Sequence, residues 1–170
     1  MSDALLRAPR EDADLINTIA LRRCDDERHV IRFQQDGALR SWTLAELDRK
    51  AARVAVRLQA LGVRPRDRVG ILSRNRIEFV LLDLAILKLG GVSAGFEAGR
   101  YEPGQIVDIY GLKALFGEGL SGQGPCFDIA DIAAWADNAE ADAAWRPLHA
   151  AYDPADIFAI KFTSGSTGAP

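Results

Sequence analysis

The sequence ends in a run of small, hydroxyl-bearing and glycine residues whose types suit phosphate binding. The run consists of Thr163, Ser164, Gly165, Ser166, Thr167 and Gly168. Its glycines allow positive φ and let backbone N–H groups approach an anion closely. Its four hydroxyl groups add donors that a phosphate oxygen accepts. The run therefore predicts a loop that holds a polyphosphate, and a flexible Ser/Thr/Gly linker is the alternative that composition alone allows.

Two features of the sequence argue against a linker. An apolar, strand-like stretch at 156–162 runs directly into the small residues. The ordered string Gly-Ser-Thr-Gly at 165–168 has a chance occurrence on the order of one percent or less in a chain of this length. The segment also matches neither the Walker pattern nor the dinucleotide-binding pattern Gly-x-Gly-x-x-Gly. We therefore expect a phosphate loop of another type.

Strand-like and helix-like stretches alternate ahead of this run, which is typical of an α/β domain with a parallel-rich sheet and flanking helices. An Asp-Gly pair at 36–37 predicts a β-hairpin. Pro103 and Gly111 are typical of the start and end of a helix. The stretch 130–151 predicts either a short helix with a loop or a poorly packed connection. The other predicted elements are strands at 30–34, 39–43, 68–72, 113–116, 126–129 and 156–162, a strand starting at 92, and helices at 14–23, 43–61, 76–89 and 103–110.

Two helix starts carry capping signals. Thr43, followed three residues later by Glu46, predicts a capping box at the start of the clearest helix, 43–61. Asn75 with Glu78 predicts the start of the next helix, which is apolar over most of its circumference and should be deeply packed.

The apolar residues of the helix 43–61 recur at steps of three and four. This spacing predicts that Leu47 and Val54 are buried and that Arg49 and Arg53 are exposed. The basic residues among its polar positions form either a ligand-binding face or, as we favour, a solvated surface. These residues are Arg49, Lys50, Arg53 and Arg57.

Composition narrows the functional classes. The chain has 170 residues, 48% of them hydrophobic, and a formal net charge of −3, which is ordinary for a folded domain and argues against a nucleic-acid-binding protein. Its two cysteines, Cys24 and Cys126, form neither a disulfide framework nor a zinc site. The longest apolar stretch, 79–89, is too short to span a membrane. No targeting signal is visible, so we expect a cytoplasmic protein.

The segment Phe162–Pro170 resembles the phosphate-loop signature of the adenylate-forming enzymes, which include acyl-CoA synthetases, luciferase and nonribosomal-peptide adenylation domains. In that family the signature continues with Lys-Gly. Arg66 stands where the family usually has glycine, and residues 93–96 replace the more usual aromatic-Val-Pro run. Further stretches that resemble the family, in the same order and spacing, are 42–47, 61–69, 75–79, 87–92 and 113–116.

The resemblance implies an activity and a set of contacts. Family members activate a carboxylic acid with ATP and Mg²⁺, form an acyl-adenylate and release pyrophosphate. Many then transfer the acyl group to CoA or to a carrier-protein phosphopantetheine. On the family pattern, residues 163–168 hold the β- and γ-phosphates. The backbone of Gly165 and Gly168 and the hydroxyls of Ser166 and Thr167 are the expected direct contacts.

The resemblance also implies a domain organisation. From their polar composition, residues 1–13 are expected to be a mobile N-terminus. By the resemblance, residues 14–170 are expected to be the first portion of the large AMP-binding domain, truncated in the phosphate loop. In the family, the acyl pocket, the adenine site, the metal-binding Glu and a mobile C-terminal domain follow this loop. We assign no catalytic or metal-binding residue within the chain, and we expect the 170 residues alone to be inactive without that remainder.

Two other functional classes stay open at this point. One is a non-catalytic nucleotide-binding module, and the other is a scaffold half of a split protein. The sequence after Pro170 would separate them from the ligase. The direction of Lys161 is also open, because strand alternation allows its side chain to point toward the phosphate site or away from it.

Overall fold

The computed structural model describes four stretches of the chain, which are 24–121, 124–145, 152–153 and 155–162. The predicted helix at 14–23, the predicted mobile segment 1–13 and the predicted phosphate loop 163–168 lie outside the described residues.

The described residues form seven strands, four α-helices and one 3₁₀ helix. The strands are β1 Val30–Gln35, β2 Ala38–Thr43, β3 Arg68–Leu72, β4 Val92–Phe96, β5 Leu112–Gly117, β6 Cys126–Asp128 and β7 Ala159–Ile160. The helices are α1 Leu44–Ala60, α2 Ile77–Lys88, α3 Pro103–Tyr110 and α4 Asp131–Asp137, followed by the 3₁₀ helix Ala139–Ala143.

Five strands form the central sheet, in the order β6-β5-β3-β4-β7, and every neighbouring pair is parallel. The core on one face joins α1, α2 and α4, and the core on the other face joins α3 to the sheet. This confirms the predicted α/β class with flanking helices. At the centre of β3, a Cβ on Gly70 would lie 2.6 Å from Leu112 Cδ1 and 2.7 Å from Leu115 Cδ1, so a larger residue there would require both leucine side chains to shift.

The hairpin β1–β2 is separate from this sheet and antiparallel. Its two loop residues, Asp36 and Gly37, have φ of 51° and 75°. Positive φ at both loop positions is the type I′ arrangement that Asp-Gly favours. The predicted hairpin is therefore confirmed.

Helix α1 begins with the predicted capping box. Thr43 Oγ1 accepts from the Glu46 backbone N–H at 3.1 Å, and Glu46 Oε2 accepts from the Thr43 N–H at 2.7 Å. Leu47 and Val54 are buried as predicted, with exposed fractions of 7% and 0%. The Arg49 side chain is 41% exposed, and the residue as a whole is half-buried, so the predicted exposure is met only in part.

The prediction that Arg53 is exposed is wrong. Its side chain is 16% exposed and donates from Nε and Nη2 to the two carboxylate oxygens of Asp142, each at 2.9 Å. Its Nη1 donates to the Ala136 carbonyl. Lys50 likewise pairs with Asp137. The segment of α4 and the 3₁₀ helix therefore covers much of the basic face that the sequence predicts to be solvated.

The segment of α4 and the 3₁₀ helix is well packed. Of the two predictions for 130–151, the described part therefore agrees with a short helix and a loop, not with a poorly packed connection. Ile132 and Ala136 of α4 are buried, and so is Trp145 beyond the 3₁₀ helix. The Lys88 ammonium lies 5.8 Å from the centroid of the Trp145 ring and 2.6 Å from Asp48 Oδ1. A buried ion pair therefore joins α1 to α2 beneath this segment.

Helix α2 is deeply packed as predicted, but its start differs. The N-cap is Arg76, which makes no side-chain capping bond, so the predicted Asn75 cap is wrong. Glu78 pairs with Arg76 instead, with Nε and Oε2 2.8 Å apart. Helix α3 carries Pro103 in its first turn and ends at Gly111 with φ of 57°, as the sequence predicts.

The last strand is shorter than predicted. Regular pairing is limited to β7, because Asp156 forms a turn with Asp153 in place of a strand. The Asp156 N–H donates to the Asp153 carbonyl, and an Asp156 carboxylate oxygen accepts from the Asp153 N–H, each at 2.9 Å. No helix in the described part of the chain is long and apolar enough to cross a membrane.

Candidate functional site

A groove lies where β3, β4 and β7 end. Because neighbouring strands are parallel, their carboxyl ends meet at one edge of the sheet, where ligands bind in open α/β folds. The groove has a volume of about 560 Å³, within the range of ligand sites in proteins. Its walls are the loop 73–75 after β3, the end of β4 with residues 97–98, Phe79 of α2, and Lys161 with Phe162 after β7.

The loop after β3 is fixed by a carboxylate from the neighbouring strand. Ser73 Oγ donates to Glu118 Oε1 at 3.1 Å, and the Arg74 backbone N–H donates to the same oxygen at 3.3 Å. Glu118 directly follows β5, and Ser73 is 7% exposed. This wall of the groove is therefore preorganised by hydrogen bonds between two strand ends.

The opposite wall is fixed by aromatic packing. The Phe162 ring centroid lies 4.9 Å from that of Phe96, 5.3 Å from Tyr110 and 6.1 Å from Tyr101. Phe96 ends β4 and Tyr110 ends α3, so the cluster ties Phe162 to two elements. Tilted and edge-to-face contacts at these distances are favourable beyond their buried area. Phe162 is the residue directly before the predicted phosphate loop.

Two cations and one anion border the groove. Lys161 lines it. Arg74 lines it as well, and Glu97 supplies a negative charge that lies 3.5 Å from Arg100. The groove thus combines an apolar wall with cations at its rim, an arrangement that suits an anionic ligand with an apolar part.

Comparison with known proteins decides the family. The family described as "AMP-binding enzyme" matches residues 18–170, nearly the whole chain.

The chain belongs to the AMP-binding enzyme family.

Two curated relatives illustrate the breadth of this family. The long-chain-fatty-acid–CoA ligase FadD15 of Mycobacterium tuberculosis is 32% identical over 170 residues, covering 86% of this chain and 28% of the relative. A plipastatin synthase of Bacillus subtilis is 32% identical over 148 residues, covering 85% of this chain and 6% of the relative. The chain thus spans under a third of each.

A solved structure shows the same fold. A fatty acyl-adenylate ligase from L. pneumophila, solved with acyl adenylate and pyrophosphate, superposes with a TM-score of 0.72 at 20% identity. The match covers 98% of this chain and 30% of that chain. The chain therefore has the fold of the first portion of the large domain, as the sequence resemblance predicts.

The residues predicted to bind phosphate lie outside the described residues. The structure places the residue before them, Phe162, in the groove wall. In the described part of the chain, no three metal-binding side chains cluster where they could hold an ion. The roles of the six loop residues stay predictions.

Sequence reasoning missed the residues that hold the groove in shape. Glu118 follows a strand in a glycine-containing stretch whose composition is typical of a surface loop, and Tyr101 and Tyr110 lie far along the chain from Phe162. The altered run 93–96 forms a regular strand, paired with β3 from Val92 to Phe96. A polar residue directly after a parallel strand is the available signal for Glu118, since such residues meet at one sheet edge.

Proposed function

We propose that this chain is the first part of a ligase that activates a carboxylic acid with ATP, forming an acyl-adenylate and pyrophosphate. The observation that carries the proposal is the groove at the carboxyl edge of the parallel sheet, whose wall ends at Phe162, three residues before the Gly-Ser-Thr-Gly string at 165–168. Membership in the AMP-binding enzyme family supports the same reaction class.

The reaction requires charge to be spread over a leaving pyrophosphate. The acid's carboxylate oxygen attacks the α-phosphorus, and the bond from that phosphorus to the bridging oxygen of pyrophosphate breaks. Fixed N–H and O–H donors stabilise the developing charge. We assign this role to the residues of the predicted phosphate loop, with the rim cations Lys161 and Arg74 adding positive charge. The loop residues are Thr163, Ser164, Gly165, Ser166, Thr167 and Gly168.

The groove also fits the chemistry of ATP. Its cationic rim suits the phosphates, and the adenine site is assigned, on the family pattern, to polypeptide after the loop. We propose Mg²⁺ as the accompanying ion, because a divalent cation neutralises phosphate charge in such transfers. The metal ligands are assigned to the polypeptide outside these 170 residues.

We further propose that the acyl-adenylate passes to a thiol, either CoA or a carrier-protein phosphopantetheine. A thiolate attacks the acyl carbon and AMP leaves, which yields a thioester. Relatives of the CoA-ligase type and of the peptide-synthetase type support both acceptors. The cytoplasmic location stays a prediction from the sequence.

The proposal is tested by ATP–pyrophosphate exchange with the intact protein and a panel of fatty, aryl and amino acids. The ligase predicts exchange that depends on one class of acid. ATP binding without exchange for any acid would favour the non-catalytic nucleotide-binding module. Absence of both, reversed by adding a second polypeptide, would favour the scaffold half. Residues 1–170 alone are expected to release no pyrophosphate, since we place the acid and metal sites in the remainder.

A further inference from the structure

Arg66 has a backbone conformation that its residue type rarely adopts. Its φ is 69°, in the left-handed region that favours glycine. Asp36 is the other non-glycine residue with positive φ in the described part of the chain. Asp36 lies in a type I′ turn that demands this geometry, and aspartate tolerates it. Arginine does not tolerate positive φ in this way, so the conformation of Arg66 calls for an explanation from the contacts of its side chain.

That side chain forms a two-pronged ion pair with the segment before β7. Arg66 Nε donates to Asp156 Oδ1 at 3.1 Å, and Nη2 donates to Oδ2 at 3.0 Å. The Asp156 side chain is 18% exposed and also accepts from the Asp153 N–H. This N–H and the Arg66 guanidinium lower the pKa of Asp156, which keeps the carboxylate charged.

The segment that receives this ion pair has few other attachments before the aromatic cluster at Phe162. Strand β7 pairs with β4 over two residues. Ile157 and Phe158 beside it are 62% and 36% exposed, so apolar burial contributes little there. The Phe158 carbonyl accepts from the Ser93 N–H at 3.0 Å, and the Tyr152 hydroxyl donates to the Gly91 carbonyl. Burial raises the pKa of Tyr152, so that hydroxyl stays protonated.

We propose that Arg66 is a positioning residue, which clamps Asp156 and thereby fixes β7 and the point where the predicted phosphate loop leaves the sheet. The segment from Asp156 to Phe162 runs from the clamp at the amino end of β7 to the groove at its carboxyl end. A clamp at one end limits sliding and tilting of a short strand at the other. This inference rests on the proposed function.

The test compares Arg66→Gly with Asp36→Gly in the intact protein by ATP–pyrophosphate exchange. Both substitutions relieve positive φ, but Arg66→Gly alone removes the clamp. Arg66→Gly is expected to raise the KM for ATP about three- to fivefold, the range for one partly exposed ion pair, with kcat and the KM for the acid within about twofold. Asp36→Gly should leave all three unchanged. Asp156→Asn should reproduce the rise, and the double variant Arg66→Gly/Asp156→Asn should add nothing to it.

Several results would overturn the inference. One is an unchanged KM for ATP in Arg66→Gly. If kcat and the melting temperature fall together while that KM stays unchanged, Arg66 has a structural role alone. Another is a double variant whose shift equals the product of the single shifts. If the wild-type protein shows no ATP–pyrophosphate exchange, the proposed function fails. Amide hydrogen exchange then tests whether Arg66 clamps the segment before β7. Faster exchange of the 158–162 amides in Arg66→Gly than in Asp36→Gly supports it, and equal exchange overturns it.

Discussion

The α1–α2 side of the sheet and the strand that leads to the predicted phosphate loop are stabilised by different forces. Leu58 of α1 and Leu82 of α2 have no exposed surface, and Ile71 of β3 is equally buried against them. Beside β7, the contacts are an ion pair, a few hydrogen bonds and one aromatic cluster. Apolar burial stabilises without direction, whereas fork-like ion pairs and ring contacts fix geometry. The comparison indicates that one region supplies stability and the other supplies position.

The largest expected effect on stability comes from the buried ion pair in the well-packed region. Lys88→Met leaves the charge of Asp48 buried without its 2.6 Å partner. We expect a loss of about 3–5 kcal/mol in unfolding free energy. Denaturant unfolding measures it. The double variant Lys88→Met/Asp48→Leu should recover most of the loss, and failure to recover would show that packing around Trp145 matters more than charge.

A cavity in the same region should have the next largest effect. Leu82→Ala removes a fully buried side chain of α2, and we expect a loss of about 2–5 kcal/mol. Leu39→Ala, at a position 70% exposed on β2, is the control and should change stability little. At temperatures where the folded state dominates, the KM for ATP of Leu82→Ala should stay at the wild-type value. A raised KM would contradict the division between stability and position.

Truncating Phe162, the residue that anchors the aromatic cluster, should change stability less and the KM for ATP more than a cavity at Leu82 does. Phe162→Ala removes the ring contacts with Phe96 and Tyr110, and we expect a loss of about 1–2 kcal/mol in stability. The KM for ATP should rise by more than it does in any variant of the α1–α2 side, because the ring adjoins the predicted loop. Phe162→Tyr keeps the ring and should restore the KM. If Phe162→Ala leaves the KM unchanged, the anchor has no positioning role.

The smallest effect should appear with pH. Because the pKa of Asp156 is lowered in the folded state, its stabilising contribution is complete above the ordinary carboxylate pKa of about 4 and is lost as pH falls through the lower folded value. Native-state hydrogen exchange should therefore show the Ser93 amide, which bonds the Phe158 carbonyl, losing protection at acid pH before the Leu82 amide does. Asp156→Asn should abolish that difference, and a difference that persists would assign it to another carboxylate.

The elements that depend on local signals are predictable from the sequence. The Asp36–Gly37 turn, the Thr43 capping box and the Pro103 helix start are confirmed, since each depends on residues within one turn of the chain. The partner of Arg53 is not predictable in this way, because Asp142 lies 89 positions away. The same applies to the clamp between Arg66 and Asp156, 90 positions apart.

The candidate site likewise has one part that local sequence predicts and one part that depends on long-range contacts. A small-residue run after a strand marks the predicted phosphate loop, since that chemistry is carried by consecutive residues. The groove itself is built from three strand ends, and Glu118 and Tyr110 join it through tertiary contacts that no local pattern encodes. The length of β7 is also not predictable from local sequence, because Asp156 pairs with Arg66 and does not extend the strand.

The most direct test of the central claim, that the loop after Phe162 stabilises the pyrophosphate leaving group, is ATP–pyrophosphate exchange by Thr167→Ala in the intact protein. The matched control is Ser41→Ala, which removes an exposed hydroxyl on β2. We expect a loss of roughly 2–4 kcal/mol in transition-state stabilisation for Thr167→Ala, with wild-type exchange for Ser41→Ala. Equal exchange by both variants and wild type would contradict it.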